Sequence, residues 1–206
     1  MQIPTREQAR ALLAQAGQRN PGPWTAHSEN AGRAAFYIAR RCPGMDADAA
    51  YILGMLHDIG RRFGVTGDRH MPDGWRFCME RGWTDLARIC LTHAFPLQDI
   101  RCCAGQWDTG GVDGTQARRT AERELPKAVY DDYDRLIQLC DSLAVPGGFC
   151  LMEKRWVDVA FRYGVNDHTV RKWRKLCALQ RAFEQRMGCG IYDVLPGVKE
   201  TTFQPL

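Results

Sequence analysis

The chain has 206 residues, 45% apolar and 25% charged, an ordinary globular composition sized for one domain or one domain with an appendage. Its net charge of +4 is too mild to argue for nucleic acid, although several of its 28 basic side chains gathered in one pocket would suit an anionic small molecule. Its nine cysteines form no CxxC pair and sit mostly in apolar helical patterns, so the expectation is free thiols in a reducing cytoplasm rather than a zinc ribbon or disulfides.

Taken in order, Thr5 reads as an N-cap with Gln8 as its capping-box partner, and Gly17 ends the first helix. Asn20-Pro21-Gly22-Pro23 is a turn. A second helix runs from about His27 to Arg41, stopped by Cys42-Pro43-Gly44. Asp46 or Asp48 caps a third, whose apolar positions from Ala49 to Ile59 surround it nearly completely, which puts it at the centre of the fold. Gly54 inside that helix costs about 1 kcal/mol relative to Ala, so close packing of a neighbouring helix is expected there.

Residues 61–69 read as a polar loop, followed by a helix from His70 to Arg81 and another, capped by Thr84, that ends at His93 before Pro96. A short helix is expected over 97–103, a glycine-rich loop or lid over 104–115, and a short charged helix over 116–127. A long helix from about Ala128 to Ala144 carries Val129, Tyr133, Leu136, Ile137, Cys140, Leu143 and Ala144 inward, with Asp141 set into that face. Pro146-Gly147-Gly148 leads to helices 149–163 and 168–187, and the tail reads as irregular. No segment alternates with period two and no apolar run approaches the about 20 residues of a membrane span. No signal-peptide core precedes the first helix. The expected architecture is all-α: residues 1–145 as a helical core with its N-terminal helix, and residues 146–206 as a helical extension packed beside it.

The chemistry gathers around Ile52-Leu53-Gly54-Met55-Leu56-His57-Asp58-Ile59-Gly60. A His-Asp pair closing a buried helix needs a reason, because an unpaired buried carboxylate is expensive. His27, His70, His93 and Asp141 are the partners the chain supplies. Adjacent helical residues point about 100° apart, so His57 and Asp58 would flank a metal centre rather than share one direction. Read singly, His93 could serve only as a helix-end dipole partner and His70 could be exposed. His168 follows a good N-cap, Asp167, and receives no role.

The ordered set His27, His57-Asp58, Asp141 resembles the H…HD…D signature of the HD-domain metal-dependent phosphohydrolases, and His57-Asp58-Ile59-Gly60 matches the HDIG form of the motif. The resemblance covers residues 24 to 145 and implies an HD-domain helical bundle with an additional C-terminal helical pair. Its dinuclear members carry two more histidines between the HD pair and the last Asp. That implies one ion held by His27, His57, Asp58 and Asp141, with Asp58 bridging to a second ion held by His70 and His93. The N/O ligand set suits Fe, Mn, Zn or Ni, one or two ions. A small anionic phosphorylated substrate, a nucleotide or another phosphate ester, is the implied partner. The cyclic-dinucleotide enzymes' GYP signature is absent, as are the extra helical regions of the deoxynucleotide triphosphohydrolases.

Such chemistry needs cations for the spectator phosphate oxygens. Arg61, Arg62 and Arg69 near the motif, Arg33 after His27, and Lys154 are the candidates. Asp58, Arg61 and Asp73 are the candidate catalytic residues, with a helix-capping role as the alternative for Asp73. Two other readings stand beside this one. The ligand set is also similar to that of dinuclear-iron oxygenases like myo-inositol oxygenase. Helices 149–163 and 168–187, with a basic start at His168-Thr169-Val170-Arg171-Lys172, have the outline of a helix-turn-helix, although a solvated face is the simpler account. No membrane partner is expected, and a homodimer is compatible with the sequence.

Overall fold

The computed structural model describes residues 1–103, 105–109 and 111–205. Among these it contains ten α-helices: α1 (Arg6–Arg19), α2 (Trp24–Ala39), α3 (Ala47–Leu56), α4 (His70–Met79), α5 (Thr84–Thr92), α6 (Thr115–Glu124), α7 (Asp132–Leu143), α8 (Met152–Tyr163), α9 (Thr169–Met187) and α10 (Val198–Thr202). The fold is all-α apart from a two-residue hairpin, in which β1 (Ala144–Val145) pairs antiparallel with β2 (Gly148–Phe149). No helix among the described residues is long and apolar enough to cross a membrane.

Helix α3 is the central element, with Ala49 through Leu56 all buried. Its start is fixed by Asp46, whose Oδ1 accepts from the Asp48 and Ala49 amides at 2.9 and 3.1 Å. Gly54 packs where the sequence asks for a close neighbour. A Cβ there would stand 2.8 Å from the Cα of Gly32 on α2, and one on Gly32 would stand 2.7 Å from the Tyr51 carbonyl oxygen. Together with the fully buried Ala31, Ala34 and Ala35, this glycine pair lets α2 lie directly on α3. That contact brings His27 toward the end of α3.

A second backbone contact positions α4. Asp58 begins a 3₁₀ turn, Ile59–Phe63, and a Cβ on Gly60 of that turn would overlap the His70 carbonyl oxygen and approach the Gly74 nitrogen to 2.6 Å. The glycine of the HDIG string is thus the residue that admits the first turn of α4, and with it His70, against the motif.

Helices α5 and α7 are held in register by a buried polar network. Asp131 and Asp134 form a capping box at the start of α7. Asp134 is completely buried, yet its carboxylate accepts from the Asp131 amide at 2.9 Å and from Thr92 Oγ1 at 2.6 Å, and it pairs with Arg88. Gln138 Nε2 donates to the Thr92 carbonyl at 3.1 Å. Every buried polar group of this network is paired, so it can fix geometry without the penalty of an orphaned charge. It sets the end of α5, where His93 sits, beside the last turn of α7, where Asp141 sits.

Several sequence expectations shift. Helix α7 starts at Asp132, not Ala128, because Asp131 caps it; Val129, expected to face inward, is 84% exposed. Thr84 is not a cap: its hydroxyl donates to Gln2 Oε1. The tail carries a 3₁₀ turn at Ile191–Asp193 and the helix α10, and Ile191 and Leu195 join the core. Residues 100–102 form only a 3₁₀ turn. Within the 104–115 loop, Ala104 and Gly110 lie outside the described residues, and Thr109 bridges Val112. All nine cysteines are free thiols.

Candidate metal centre

Four histidines and two aspartates converge from five helices and the turn that follows one of them. His27 comes from the first turn of α2, His57 closes α3, Asp58 begins the following turn, His70 opens α4, His93 follows α5, and Asp141 lies near the end of α7. All are buried except Asp141, whose side chain is 28% exposed. These are the six residues that the sequence pairs with a metal, and the fold brings all six together.

The histidines share one arrangement. Each Nδ1 faces a backbone carbonyl: His27 that of Ala144 at 3.1 Å, His57 that of Gly54 at 2.6 Å, His70 that of Gly67 at 2.5 Å, and His93 that of Cys90 at 3.0 Å. A carbonyl can only accept, so Nδ1 carries the proton in every ring. In the neutral imidazole the Nε2 lone pair is then aimed into the site, the state in which histidine binds metal. Burial lowers the pKa of His27, and it takes that of His93 down to about 3, with His57 adding to the effect. Both rings are therefore neutral at ordinary pH. Burial alone would raise Asp58, but Arg61, His70 and His57 outweigh it and hold the carboxyl well below the usual range. Asp141 behaves alike: burial opposes ionisation, and His27 and Arg155 among its neighbours prevail.

The Nε2 atoms face the carboxylates at short range. His27 Nε2 is 3.0 Å from Asp141 Oδ1, and His57 Nε2 is 3.8 Å from the same atom. His70 and His93 Nε2 lie 3.0 and 3.5 Å from Asp58 Oδ1 and 3.4 Å from each other. An Nε2 lone pair and a carboxylate oxygen at such distances need a proton or a metal ion between them. His27 Nε2, His57 Nε2 and Asp58 Oδ1 are buried without a hydrogen-bond partner. Donors bonded to one ion at about 2.1 Å stand about 3.0–3.5 Å apart at tetrahedral or octahedral angles, which matches these separations. Two groups meet the ligand requirement, each with its donor atoms within 4.8 Å: His27, His57 and Asp141; and His57, Asp58 and His93. The residues fit a metal centre. One ligand carries a competitor, because Asp58 Oδ2, the oxygen left for bridging, accepts from Arg61 Nε at 2.5 Å.

The centre opens into a cavity of about 140 Å³, roofed by α8 and α9 and reached by Asp58, His70, His93 and Asp141 from below. A second cavity of about 380 Å³, with Trp24 and Pro146 in its wall, reaches His27. Asp58, Arg61, Arg155 and Tyr163 border both.

The other sequence candidates part ways here. Arg61 lies in the site, bonded to Asp58. Arg62 turns into the apolar layer, with its guanidinium 4.2 Å from the Phe77 ring centre. Arg33 is exposed and bonds Asn30. Arg69 and Arg76 pair with Asp73, and neither Arg69 nor Asp73 borders either cavity; Asp73 is thus held in a structural ion-pair cluster, not at the reacting centre. Lys154 reaches the Gln204 carbonyl in the tail. The residue beside it, Arg155, is the cation in the site. It donates to Asp158 at 2.9 Å, lies 3.8 Å from Asp141 Oδ1, and has a buried Nε with no partner. Helical spacing holds the missed signal: Arg155, Val159 and Tyr163 fall on one stripe of α8, with Trp156 and Ala160 beside it. His168 is half-buried and borders neither cavity.

A scan against protein-family models finds no match to the chain, and searches of curated proteins and of solved structures find none either.

Proposed function

We propose that the chain is a metal-dependent phosphohydrolase of the HD-domain type acting on a small phosphate ester. One observation carries the reading: a buried cluster of histidines and aspartates opens directly into a cavity whose wall supplies two arginines. His27, His57 and Asp141 would hold one ion, and Asp58, His70 and His93 a second; iron, manganese, zinc or nickel suits these donors. When bound, a divalent ion lowers the pKa of a water and polarises a phosphoryl oxygen.

The chain's own residues supply the rest. The backbone carbonyls of Gly54, Gly67, Cys90 and Ala144 fix the four imidazoles by holding each Nδ1 proton. Arg155, with its unpaired Nε, and the terminal nitrogens of Arg61 are placed to bind spectator phosphate oxygens. Helices α8 and α9 cover one side of the cavity, and shielding from bulk water strengthens charge contacts of this kind. The nucleic-acid alternative loses ground, because Lys172 and Trp173 of the basic segment border the cavity instead of forming a free outer face.

The test is phosphate release from a panel of phosphomonoesters and phosphodiesters by protein reconstituted with each of the four metals, with dioxygen consumption followed in parallel. Metal-dependent phosphate release supports the proposal. Oxygen uptake by the iron form, without phosphate release from any ester, would replace it with the oxygenase reading.

A further inference from the structure

Resting on the phosphohydrolase reading, we propose that the substrate is a phosphate ester of a compact aromatic or apolar alcohol. Its phosphate lies between Arg61 and Arg155, and its organic part lies against Trp156 and Trp173 beneath α8 and α9. The argument begins with α8. Its inward stripe would ordinarily be buried, yet Met152 is the helix's one buried residue, while Arg155, Trp156, Val159 and Ala160 are only half-buried. Trp156 packs partly against the core, and the rest of that face borders a space. The matching stripe of α9, Thr169, Lys172, Trp173 and Leu176, spans the same space from the other side. The indoles of Trp156 and Trp173 stack across the helix pair, with ring centres 5.4 Å apart and planes 7° from parallel. The stack makes a flat, rigid wall bordering the cavity.

Several polar groups on this wall already have partners, while Asp68, Tyr163 and Lys172 face the cavity as well. Trp156 Nε1 donates to Ser142 Oγ at 3.4 Å. Thr169 Oγ1 accepts from the Asn166 amide at 2.9 Å and meets Asn166 Oδ1 at 3.4 Å. Gln138 gives Nε2 to Thr92 and accepts from Arg135 through Oε1. The hydroxyls of a sugar or glycerol moiety would each need a partner among Asp68, Tyr163 and Lys172, because a buried hydroxyl without one is destabilising. An aromatic or branched alkyl group carries no such debt, and Met71, Pro96, Val159 and Leu176 complete an apolar surround for it. At the charged end, Arg61 from below and Arg155 from α8 flank Asp58 and Asp141, and Lys172 lines the α9 side. Hydrolysis of such an ester adds one water, breaks the P–O bond and yields the free alcohol and inorganic phosphate.

The test uses the full chain loaded with Mn²⁺ and two non-hydrolysable probes, benzylphosphonate and 2,3-dihydroxypropylphosphonate, measured by calorimetry beside inorganic phosphate. Benzylphosphonate should bind at least tenfold more tightly than the diol probe. Trp173→Ala should shrink that gap below threefold with inorganic phosphate affinity unchanged, whereas Trp173→Phe should keep it. Val159→Gln, which fills the space from α8, gives an independent check should Trp173→Ala not fold: it should abolish the benzyl preference and retain inorganic phosphate. Equal affinities in the wild type, a gap unchanged by the folded variants, or no binding of either probe would overturn the proposal. Phosphate ester hydrolysis without a benzyl preference sinks this proposal alone. A benzyl preference without hydrolysis of any ester sinks the phosphohydrolase reading and leaves the pocket assignment standing.

Discussion

The floor and the roof of the site are built on opposite terms. On the floor, His57 is fully buried, and the other three histidines and Asp58 are at most 5% exposed. Each imidazole is braced by a backbone carbonyl, that of His70 by Gly67 in the turn before α4. On the roof, α8 buries one residue and its cavity-facing side chains are half-exposed. A floor of this kind is set when the core folds, so its geometry is prepaid and suits a metal that tolerates little misplacement. A roof with few buried apolar contacts belongs to the part of a protein that opens at low cost. On the proposed function the contrast would separate two jobs, holding a metal and choosing what reaches it, and substitutions should separate them as well.

The largest effect is expected at Asp58, whose carboxylate is faced by His57, His70 and His93. Asp58→Ala should remove most bound metal by elemental analysis. It should also reduce phosphatase activity by more than the about 10- to 100-fold typical of losing an outer-shell partner of a metal ligand. A variant that keeps both metal and activity would place the centre elsewhere. Gly60→Ala comes next. It changes no ligand, but the added methyl meets the His70 carbonyl and the Gly74 nitrogen, so α4 must move. Overpacking of this kind costs about 1–3 kcal/mol, read as a lowered melting temperature, with metal content falling because His70 moves with its helix. An unchanged melting temperature and full metal loading would mean that the motif's glycine does not set the position of α4.

The floor was legible in the sequence and the roof was not, for a physical reason. His27, His57, Asp58, His70, His93 and Asp141 stand out because metal-ligating side chains are costly inside apolar helices, so each one interrupts a pattern. The all-α architecture and the Gly54 contact follow from the same periodicity. Cations carry no such mark. Arg33, Arg62, Arg69 and Lys154 are as basic as Arg61 and Arg155, and only tertiary packing decides which reach the cavity. Arg62 goes to Phe77, Arg69 to Asp73 and Lys154 to the tail, while Arg155, one position on from Lys154, turns inward. On a helix that single step is about 100° of rotation, and the stripe of Trp156, Val159, Ala160 and Tyr163 was the available clue to which side faced in. Asp73 misled in the same way: a buried acid near the motif has the features of a catalytic group, but two arginines satisfy it.

On the roof, Arg155→Met should leave metal content and melting temperature close to the wild type and raise the KM for a phosphate ester about 10- to 100-fold, the loss of one or two charged hydrogen bonds. Loss of metal in this variant would show that Arg155 supports Asp141 rather than substrate, and would erase the division between floor and roof at that residue.

The smallest effect is expected on the outside of the same helix. Phe161 is 78% exposed and follows Ala160, which borders the cavity. Surface substitutions away from caps, cavities and networks stay within about 0.5 kcal/mol, so Phe161→Ser should leave stability, metal content and KM unchanged. It is the control that gives the Arg155 result its meaning, because both changes alter α8 and only one alters the side facing the metal. If Phe161→Ser raised KM as Arg155→Met does, the effect would come from the helix moving as a body. The roof would then act through its position, not through the charge that Arg155 presents.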